Sequence, residues 1–210
     1  MGPVEPPTDP GLERHRPIYL GACRIDLVRR DGTARLLSDR RLALAVVRAL
    51  KAAGAPTPAS VTVVLTDDDE LRDLNRAHLE RDEPTDVLSF PMLEPEAYPA
   101  HEGGAAGPGS AVAGGAAPRA AQAHDGPRSP TVPGERTHLG DIAISVPRAI
   151  EQAEAGRGGQ TGDVRWSPAD ELRLLVTHGT LHLCGWDHAE PAEEAAMRSL
   201  EQRLLAEDRR

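Results

Sequence analysis

A stretch of 44 residues near the middle of the chain most limits how it can fold. Between Glu94 and Thr137 the sequence has 8 glycines, 7 prolines and 11 alanines, and it has almost no large apolar side chains. Such a segment cannot bury enough apolar surface to offset the entropy that is lost on ordering. Because it lies between two runs with the composition of β-strands, we expect a flexible insertion over residues 94–137 within one domain. Residues 1–16 are expected to be a disordered lead-in.

About 150 of the 210 residues remain when the lead-in and the insertion are removed, and this is a usual size for a single domain. We therefore expect one domain over residues 17–210, in which apolar patterns typical of strands alternate with patterns typical of helices. The expected strands are residues 61–65, 86–90 and 141–146. The expected helices begin after Ser38, at Thr66 as N-cap, at Pro147 as first helical residue, after Ser167 and at Pro191. This order predicts an α+β fold, a mixed α/β sandwich with a small mixed β-sheet packed by helices.

Charge and hydropathy exclude several classes of protein. The chain has 24 basic and 33 acidic side chains, a formal net charge of −9, which argues against binding nucleic acid through bulk charge alone. No apolar run approaches the ~18–20 residues of a membrane span, and the acidic, proline-rich N-terminus does not resemble a signal peptide. We therefore expect a cytoplasmic protein with no membrane partner. The two cysteines, Cys23 and Cys184, are too few for a disulfide framework.

Three histidines close together in the sequence have the spacing of metal ligands. His178 and His182 lie four residues apart on a predicted helix, so their rings project from the same face. Gly185 can end this helix in a left-handed conformation, and a short turn can then bring His188 toward the same point. Three imidazoles around a tetrahedral ion leave the fourth position to water, which is the pattern of a catalytic zinc site. The H-x3-H-x5-H segment therefore predicts one Zn²⁺ ion, although three imidazoles also suit other transition metals.

The residues around these histidines have more than one interpretation. Asp187 is either an acceptor that orients a ligand ring or a residue that shapes the turn. Cys184 points to another side of the helix from His182 and is expected to pack in the core, with metal binding as the alternative. Trp186 is also expected to pack, with stacking on a nucleic-acid base as the alternative. Zinc proteases of the H-E-x-x-H type have a glutamate beside the first histidine, and Gly179 occupies that position here, which argues against such a protease.

Two further segments carry motifs that extend beyond the histidine spacing. Residues 84–91 read P-T-D-V-L-S-F-P, residues 139–145 read L-G-D-I-A-I-S, and residues 178–188 read H-G-T-L-H-L-C-G-W-D-H. All three closely resemble signatures of the YbeY family of bacterial ribosomal RNA maturation endoribonucleases, and they occur in the family's order. The resemblance covers most of residues 18–93 and 138–207. It implies a mixed α/β sandwich with the zinc ligands at one end of the sheet.

The resemblance also implies a function. It implies a single-metal hydrolase that cuts single-stranded RNA, with His178, His182 and His188 as the zinc ligands. Maturation of the 3′ end of 16S ribosomal RNA and ribosome quality control are the implied roles. The implied partners are ribosomal RNA and the small ribosomal subunit, contacted through a ribosomal protein. Many members have an aromatic–arginine pair that helps bind or polarise RNA, and that place falls here on residues 78–79. Arg81 is the candidate replacement, with a solvated surface charge as the alternative.

Two other functions remain open at this point. One is a zinc peptidase or amidase, and the other is a non-catalytic ribosome assembly factor that contains a structural zinc. Asp86, Asp141 and Asp187 recur near the expected site, but the sequence assigns none of them as a general base. In the leading hypothesis the attacking group is therefore a zinc-activated water or the 2′-hydroxyl of the RNA itself.

Overall fold

A mixed β-sheet forms the centre of the computed structural model, which describes residues 12–14, 17–101, 136–156 and 166–207. The strands within these ranges are β1 (Leu12–Arg14), β2 (Ile18–Leu20), β3 (Cys23–Arg30), β4 (Ala59–Thr66), β5 (Val87–Pro91) and β6 (Thr137–Ser145). The strand order is β1-β3-β4-β6-β5, and β2 also pairs with β3. β3, β4 and β6 are parallel, whereas β1, β2 and β5 run antiparallel to the strands that they pair with.

Helices cover both faces of this sheet. The described α-helices are α1 (Asp39–Ala52), α2 (Asp68–Leu79), α3 (Val146–Glu154), α4 (Pro168–Leu183) and α5 (Pro191–Glu207). α1, α3, α4 and α5 contribute to the main hydrophobic core, to which β6 contributes Ile142 and Ile144. Ala143 points to the opposite face, as alternation along a strand requires, and packs there against Leu71 of α2 and Leu88 of β5. The predicted α+β sandwich with a mixed sheet is confirmed.

The helix signals in the sequence act as predicted at α1. The side chain of Ser38 accepts a hydrogen bond from the backbone N–H of Arg41, which satisfies a donor in the first turn. Gly54 follows the end of the helix with a φ of 68°, a left-handed conformation that glycine adopts without strain. No helix in the described part of the chain is both long enough and apolar enough to cross a membrane.

Two predicted helix starts are wrong by one residue. Thr66 is the last residue of β4, and Asp67 is the N-cap of α2. The Asp67 carboxylate accepts the backbone N–H of Glu70 at 2.9 Å, and aspartate is as good an N-cap as threonine. Ser145 at the end of β6 caps α3, so Pro147 is the second helical residue and not the first. In both places the strand continues directly into the cap without a loop.

Both segments that were expected to be irregular are partly ordered. Leu12–Arg14 forms a strand antiparallel to the end of β3, so the disordered lead-in predicted for residues 1–16 is too long. The insertion predicted to begin at residue 94 instead starts with an ordered part, since Pro95–Ala97 forms a 3₁₀ turn and Tyr98 is buried. Pairing with β3 explains the order of the first segment, and burial of Tyr98 explains the order of the second. The flexibility predicted for residues 102–135 and the disorder predicted for residues 1–11 and 15–16 fall outside the described residues.

α4 contacts both the sheet and the other helices of its layer, and it carries two of the three histidines. A capping box begins the helix. The side chain of Ser167 accepts the backbone N–H of Asp170 at 3.2 Å, and the Asp170 carboxylate accepts the backbone N–H of Ser167 at 3.1 Å. Leu172 and Val176 are fully buried in the main core. The position of α4 is therefore fixed by its N-terminal cap and by its packing.

Candidate metal centre

Two predicted ligands lie one turn apart on α4. The Nε2 atoms of His178 and His182 are 3.0 Å apart, and the ring centroids are 4.5 Å apart. This is the close approach that a spacing of four residues gives on one face of a helix. The prediction that α4 presents both rings to one point is confirmed.

The turn after α4 brings in the third histidine. The backbone N–H groups of Gly185 and Trp186 each donate to a carbonyl oxygen of the last helical turn at 3.1 Å, and Gly185 has a φ of 80°. These bonds form a Schellman motif, which ends the helix and turns the chain. The centroid of the His188 ring then lies 5.5 Å from that of His178 and 5.1 Å from that of His182. The predicted role of Gly185 in returning His188 to the site is confirmed.

The three imidazoles fit a single metal ion. One ring nitrogen from each histidine lies within 4.8 Å of the other two. Two nitrogens bound tetrahedrally to one zinc ion at ~2.0–2.1 Å lie ~3.3 Å apart, close to the 3.0 Å between the Nε2 atoms of His178 and His182. Burial and the two neighbouring imidazoles lower the pKa of His182 to about 3, so this ring is neutral at pH 7 and keeps a lone pair for a metal. The donor set suits zinc and other transition metals.

A carboxylate from a different helix also contacts this cluster. Oε1 of Glu201, on α5, lies 2.7 Å from Nδ1 of His178. Glu201 is only 8% exposed, and it follows Leu200 on the side of α5 that faces the core. Sequence reasoning missed this residue. The signal that was available is an acidic residue within the inward-facing positions of an amphipathic helix, where an acidic side chain needs a partner.

The packing of Gly179 explains why no glutamate stands beside the first histidine. A Cβ atom at this position would lie 2.8 Å from Cγ2 of Ile142, 3.1 Å from Cγ2 of Val87 and 3.2 Å from Oγ of Ser89. The Ser89 hydroxyl also donates to the carbonyl oxygen of Gly179 at 3.0 Å, which holds α4 against β5. The helix therefore lies too close to the sheet for a larger side chain, and the general base of an H-E-x-x-H peptidase has no room here.

The turn residues have separable roles. Asp187 is 4% exposed, and its Oδ1 accepts the backbone N–H of His188 at 2.7 Å, which stabilises the turn. Its Oδ2 is buried without a hydrogen-bond partner among the described residues, and a role in orienting a ligand ring stays a prediction. Cys184 is fully buried in the core, as predicted, and burial raises the pKa of its thiol to about 12. Trp186 packs against the main core, also as predicted.

Residues 95–101 pack on the same turn, which sequence reasoning did not predict. The ring of His101 stacks on the ring of Trp186, with centroids 4.1 Å apart and planes inclined by 7°. Pro95 lies beside Gly185, where an added Cβ would be 3.2 Å from the Cβ of the proline. Burial lowers the pKa of His101. The indole face that His101 covers is therefore not available for stacking on a base.

The remaining candidates take part in other contacts. Arg81 is exposed in the loop after α2, and its role in binding RNA stays a prediction. Oδ1 of Asp141 lies 3.0 Å from Nε2 of His138, and the carboxylate of Asp86 accepts a hydrogen bond from Gln152 at 2.9 Å. Neither contact involves the three histidines, and neither aspartate is assigned as a general base.

The chain is similar to several known proteins. A family model described as "Endoribonuclease YbeY" matches residues 32–208. A protein of that name from Dehalococcoides mccartyi (strain CBDB1) is 35% identical over 175 residues, which cover 83% of this chain and 87% of that protein. Another, from Salinispora tropica, is 40% identical over 170 residues, which cover 80% of this chain and 87% of that protein. The solution structure of a Thermotoga maritima protein aligns with a TM-score of 0.46 and 21% identity, over 89% of this chain and 91% of that one.

Proposed function

The chain belongs to the endoribonuclease YbeY family, and from this membership we propose that it is a zinc-dependent endoribonuclease specific for single-stranded RNA. Its substrate is 16S ribosomal RNA, whose 3′ end it matures, and it also acts in ribosome quality control. The observation that carries the proposal is the cluster of His178, His182 and His188. These residues belong to the family motif, and their ring nitrogens form a donor set suited to one metal ion.

α4 and the turn that follows it position the three imidazoles. A zinc ion bound there would supply Lewis acidity toward a phosphate oxygen and would activate a water at neutral pH. His182 is neutral at this pH because its pKa is lowered to about 3, so it offers a lone pair without first losing a proton. Asp187 fixes the backbone at His188 through the bond from the backbone N–H to Oδ1. α4 and its C-terminal turn thus hold the donor atoms on a rigid scaffold.

The nucleophile is either water or the 2′-hydroxyl group of the RNA. The carboxylates of Glu201 and Asp187 already bind His178 and the backbone of His188, so each supports a ligand and neither is assigned as a base. Attack by the 2′-hydroxyl leaves a 2′,3′-cyclic phosphate and a 5′-hydroxyl. Attack by water leaves a linear phosphate on one of the two fragments. The chemistry of the product ends therefore identifies the nucleophile.

The partners follow from the same proposal. With a formal net charge of −9, the chain is poorly suited to hold RNA through bulk charge. Delivery of the RNA by the small ribosomal subunit, through contact with a ribosomal protein, removes this difficulty. The protein would then act in the cytoplasm, where ribosomes are assembled.

The test is to incubate the purified, zinc-loaded protein with ribosomes that carry 3′-extended small-subunit RNA and to map the cut ends. The wild-type protein is expected to cut, and His182→Ala is expected to lose both zinc and cleavage. Cys184→Ala is the matched control, because this buried thiol lies two residues away, at the C-cap of α4, and belongs to the core. The control is expected to keep its zinc and its activity.

Other outcomes would support the alternatives. One outcome is that the zinc-loaded wild-type protein does not cut RNA and that both it and His182→Ala bind the ribosome. This outcome would indicate an assembly factor with a structural zinc. Cleavage of a peptide without cleavage of RNA would indicate a peptidase or amidase. The close packing of Gly179 on the sheet argues against a peptidase of the H-E-x-x-H type.

A further inference from the structure

The contact between Glu201 and His178 joins two helices at the metal centre. Oε1 of Glu201 lies 2.7 Å from Nδ1 of His178, and Nε2 of the same ring lies 3.0 Å from Nε2 of His182. The two nitrogens of the His178 ring therefore face different partners. One faces a carboxylate of α5, and the other faces the centre of the histidine cluster.

This arrangement fixes which nitrogen can bind a metal. A neutral imidazole carries one proton, and the nitrogen without it has the lone pair that a metal needs. A carboxylate accepts hydrogen bonds, so the contact with Glu201 places the proton on Nδ1 of His178 and leaves the lone pair on Nε2. The negative charge of the carboxylate also makes the ring a stronger donor toward a cation.

The burial of Glu201 supports a specific role. The residue is 8% exposed, and a carboxylate withdrawn from water is costly unless it is paired. The other buried residues of this part of α5 are apolar: Met197, Leu200, Leu204 and Leu205. Packing among apolar residues does not compensate for the burial of a carboxylate, and the partner of Glu201 is the ring of His178.

We infer that Glu201 is a positioning residue of the metal centre, which holds His178 in the form that binds a metal ion through Nε2. The inference rests on the proposed function, because it assumes that the three histidines bind zinc. It adds α5 to a site whose ligands all lie on α4 and the turn that follows.

A matched control separates this role from simple anchoring of the helix. Glu193 is on the same helix, is 5% exposed and uses its Oε2 to accept the backbone N–H of Glu190 at 3.2 Å. Its carboxylate stabilises the start of α5 and does not bond to a histidine ligand in the structure. If Glu201 only anchored the helix, Glu193→Ala and Glu201→Ala would affect zinc binding alike.

The experiment measures the zinc dissociation constant by competition with a chromophoric chelator, and the melting temperature of each metal-free protein. Glu201→Ala is expected to weaken zinc binding about 10–100-fold, as is usual when the carboxylate behind a ligand histidine is lost. Glu201→Gln keeps the shape and an acceptor oxygen but loses the charge, so an intermediate loss is expected. Glu193→Ala is expected to lower the melting temperature with little change in zinc affinity.

Nitrogen NMR of the histidine rings provides a readout that does not require a variant to fold. In the zinc-loaded wild-type protein, His178 is expected to carry its proton on Nδ1 and to bind zinc through Nε2. Coordination through Nδ1 would overturn the inference. So would wild-type zinc affinity in both Glu201 variants, or an equal loss of affinity in Glu193→Ala.

These outcomes are distinct from failure of the proposed function. A wild-type protein that binds no zinc would contradict the proposed function and the inference together. A wild-type protein that binds zinc but cuts no RNA would contradict only the function. The affinities and the ring protonation would still decide the role of Glu201.

Discussion

Substituting Gly179 by alanine tests whether close packing of α4 against the sheet leaves room only for glycine at this position. In an exposed helix the substitution would stabilise the protein by ~1 kcal/mol, because alanine has the higher helix propensity. Here the new Cβ would lie 2.8 Å from Cγ2 of Ile142 and 3.1 Å from Cγ2 of Val87. Distances this short require α4 or the strands beneath it to move. Helix propensity would raise the stability and the close contacts would lower it, so the measured change in stability shows which effect dominates.

The structure gives the expected size of the loss. Overpacking of a core costs ~1–3 kcal/mol. Moving α4 outward also weakens the 3.0 Å hydrogen bond from Ser89 to the carbonyl oxygen of Gly179, and such a bond contributes ~1 kcal/mol. After the ~1 kcal/mol gain in helix propensity is subtracted, a net destabilisation of about 1–3 kcal/mol is expected. For a domain of this size that corresponds to a melting temperature lower by about 2–12 °C.

The assay is thermal unfolding of the metal-free protein, followed by circular dichroism, in a double-mutant cycle with Val87→Ala. This second substitution removes one of the atoms that the new methyl group would contact, so Gly179→Ala should cost less in that background. A melting temperature equal to or above that of the wild-type protein would refute the reasoning, because helix propensity would then outweigh the contacts. If Gly179→Ala destabilised the wild-type and Val87→Ala proteins equally, the contact with Val87 would contribute no strain.

Three further predictions follow from individual side chains. In the metal-free protein, the free energy of unfolding should fall by up to ~1.4 kcal/mol per pH unit as the pH drops from 6.5 toward about 3, because the unfolded chain takes up a proton that folded His182 excludes. Urea unfolding at several pH values measures this slope, and His182→Gln should flatten it; an identical slope in the variant would contradict the assignment. Cys184, buried and with a pKa of about 12, should react with a thiol reagent only when the protein unfolds, and rapid labelling of the native protein would contradict its place in the core. His101→Ala should lower the free energy of unfolding by about 0.5–1.5 kcal/mol, because the ring stacking on Trp186 is lost. It should also shift the fluorescence emission of Trp186 to longer wavelength, because it uncovers one face of the indole. The emission is measured in a Trp166→Phe background, where no shift would show that the stacking does not form.

The cluster of three histidines could be predicted from the sequence because its geometry is local. His178 and His182 need only a helix, and a helix places residues four apart on one face. His188 needs only the reversal that Gly185 provides, and glycine at the end of a helix is a strong signal for such a turn. Residues 167–188, from the N-cap of α4 to the third histidine, therefore contain the local signals for this part of the site.

β3 shows why other parts of the fold were harder to predict. Cys23, Ile25 and Leu27 alternate with polar residues, as expected for a strand with one buried face. The pattern continues with Arg29, which is 4% exposed and forms a 3.2 Å ion pair with Asp39 of α1. A buried arginine breaks the apolar alternation, and its partner lies on another element, so the local sequence gives a weak strand signal although the strand is inside the sheet.

The metal centre divides in the same way into a local part and a part that depends on tertiary contacts. Glu201 reaches His178 across 23 residues of sequence, and no spacing rule connects a residue of one helix to a ligand on another. Its position is set by how α5 packs on α4, which in turn depends on the apolar residues of both helices. A search for the histidine motif alone would therefore find the ligands and miss the carboxylate that orients one of them. A chain that keeps the three histidines but has an apolar residue at position 201 is therefore expected to bind zinc more weakly, even though its motif is complete.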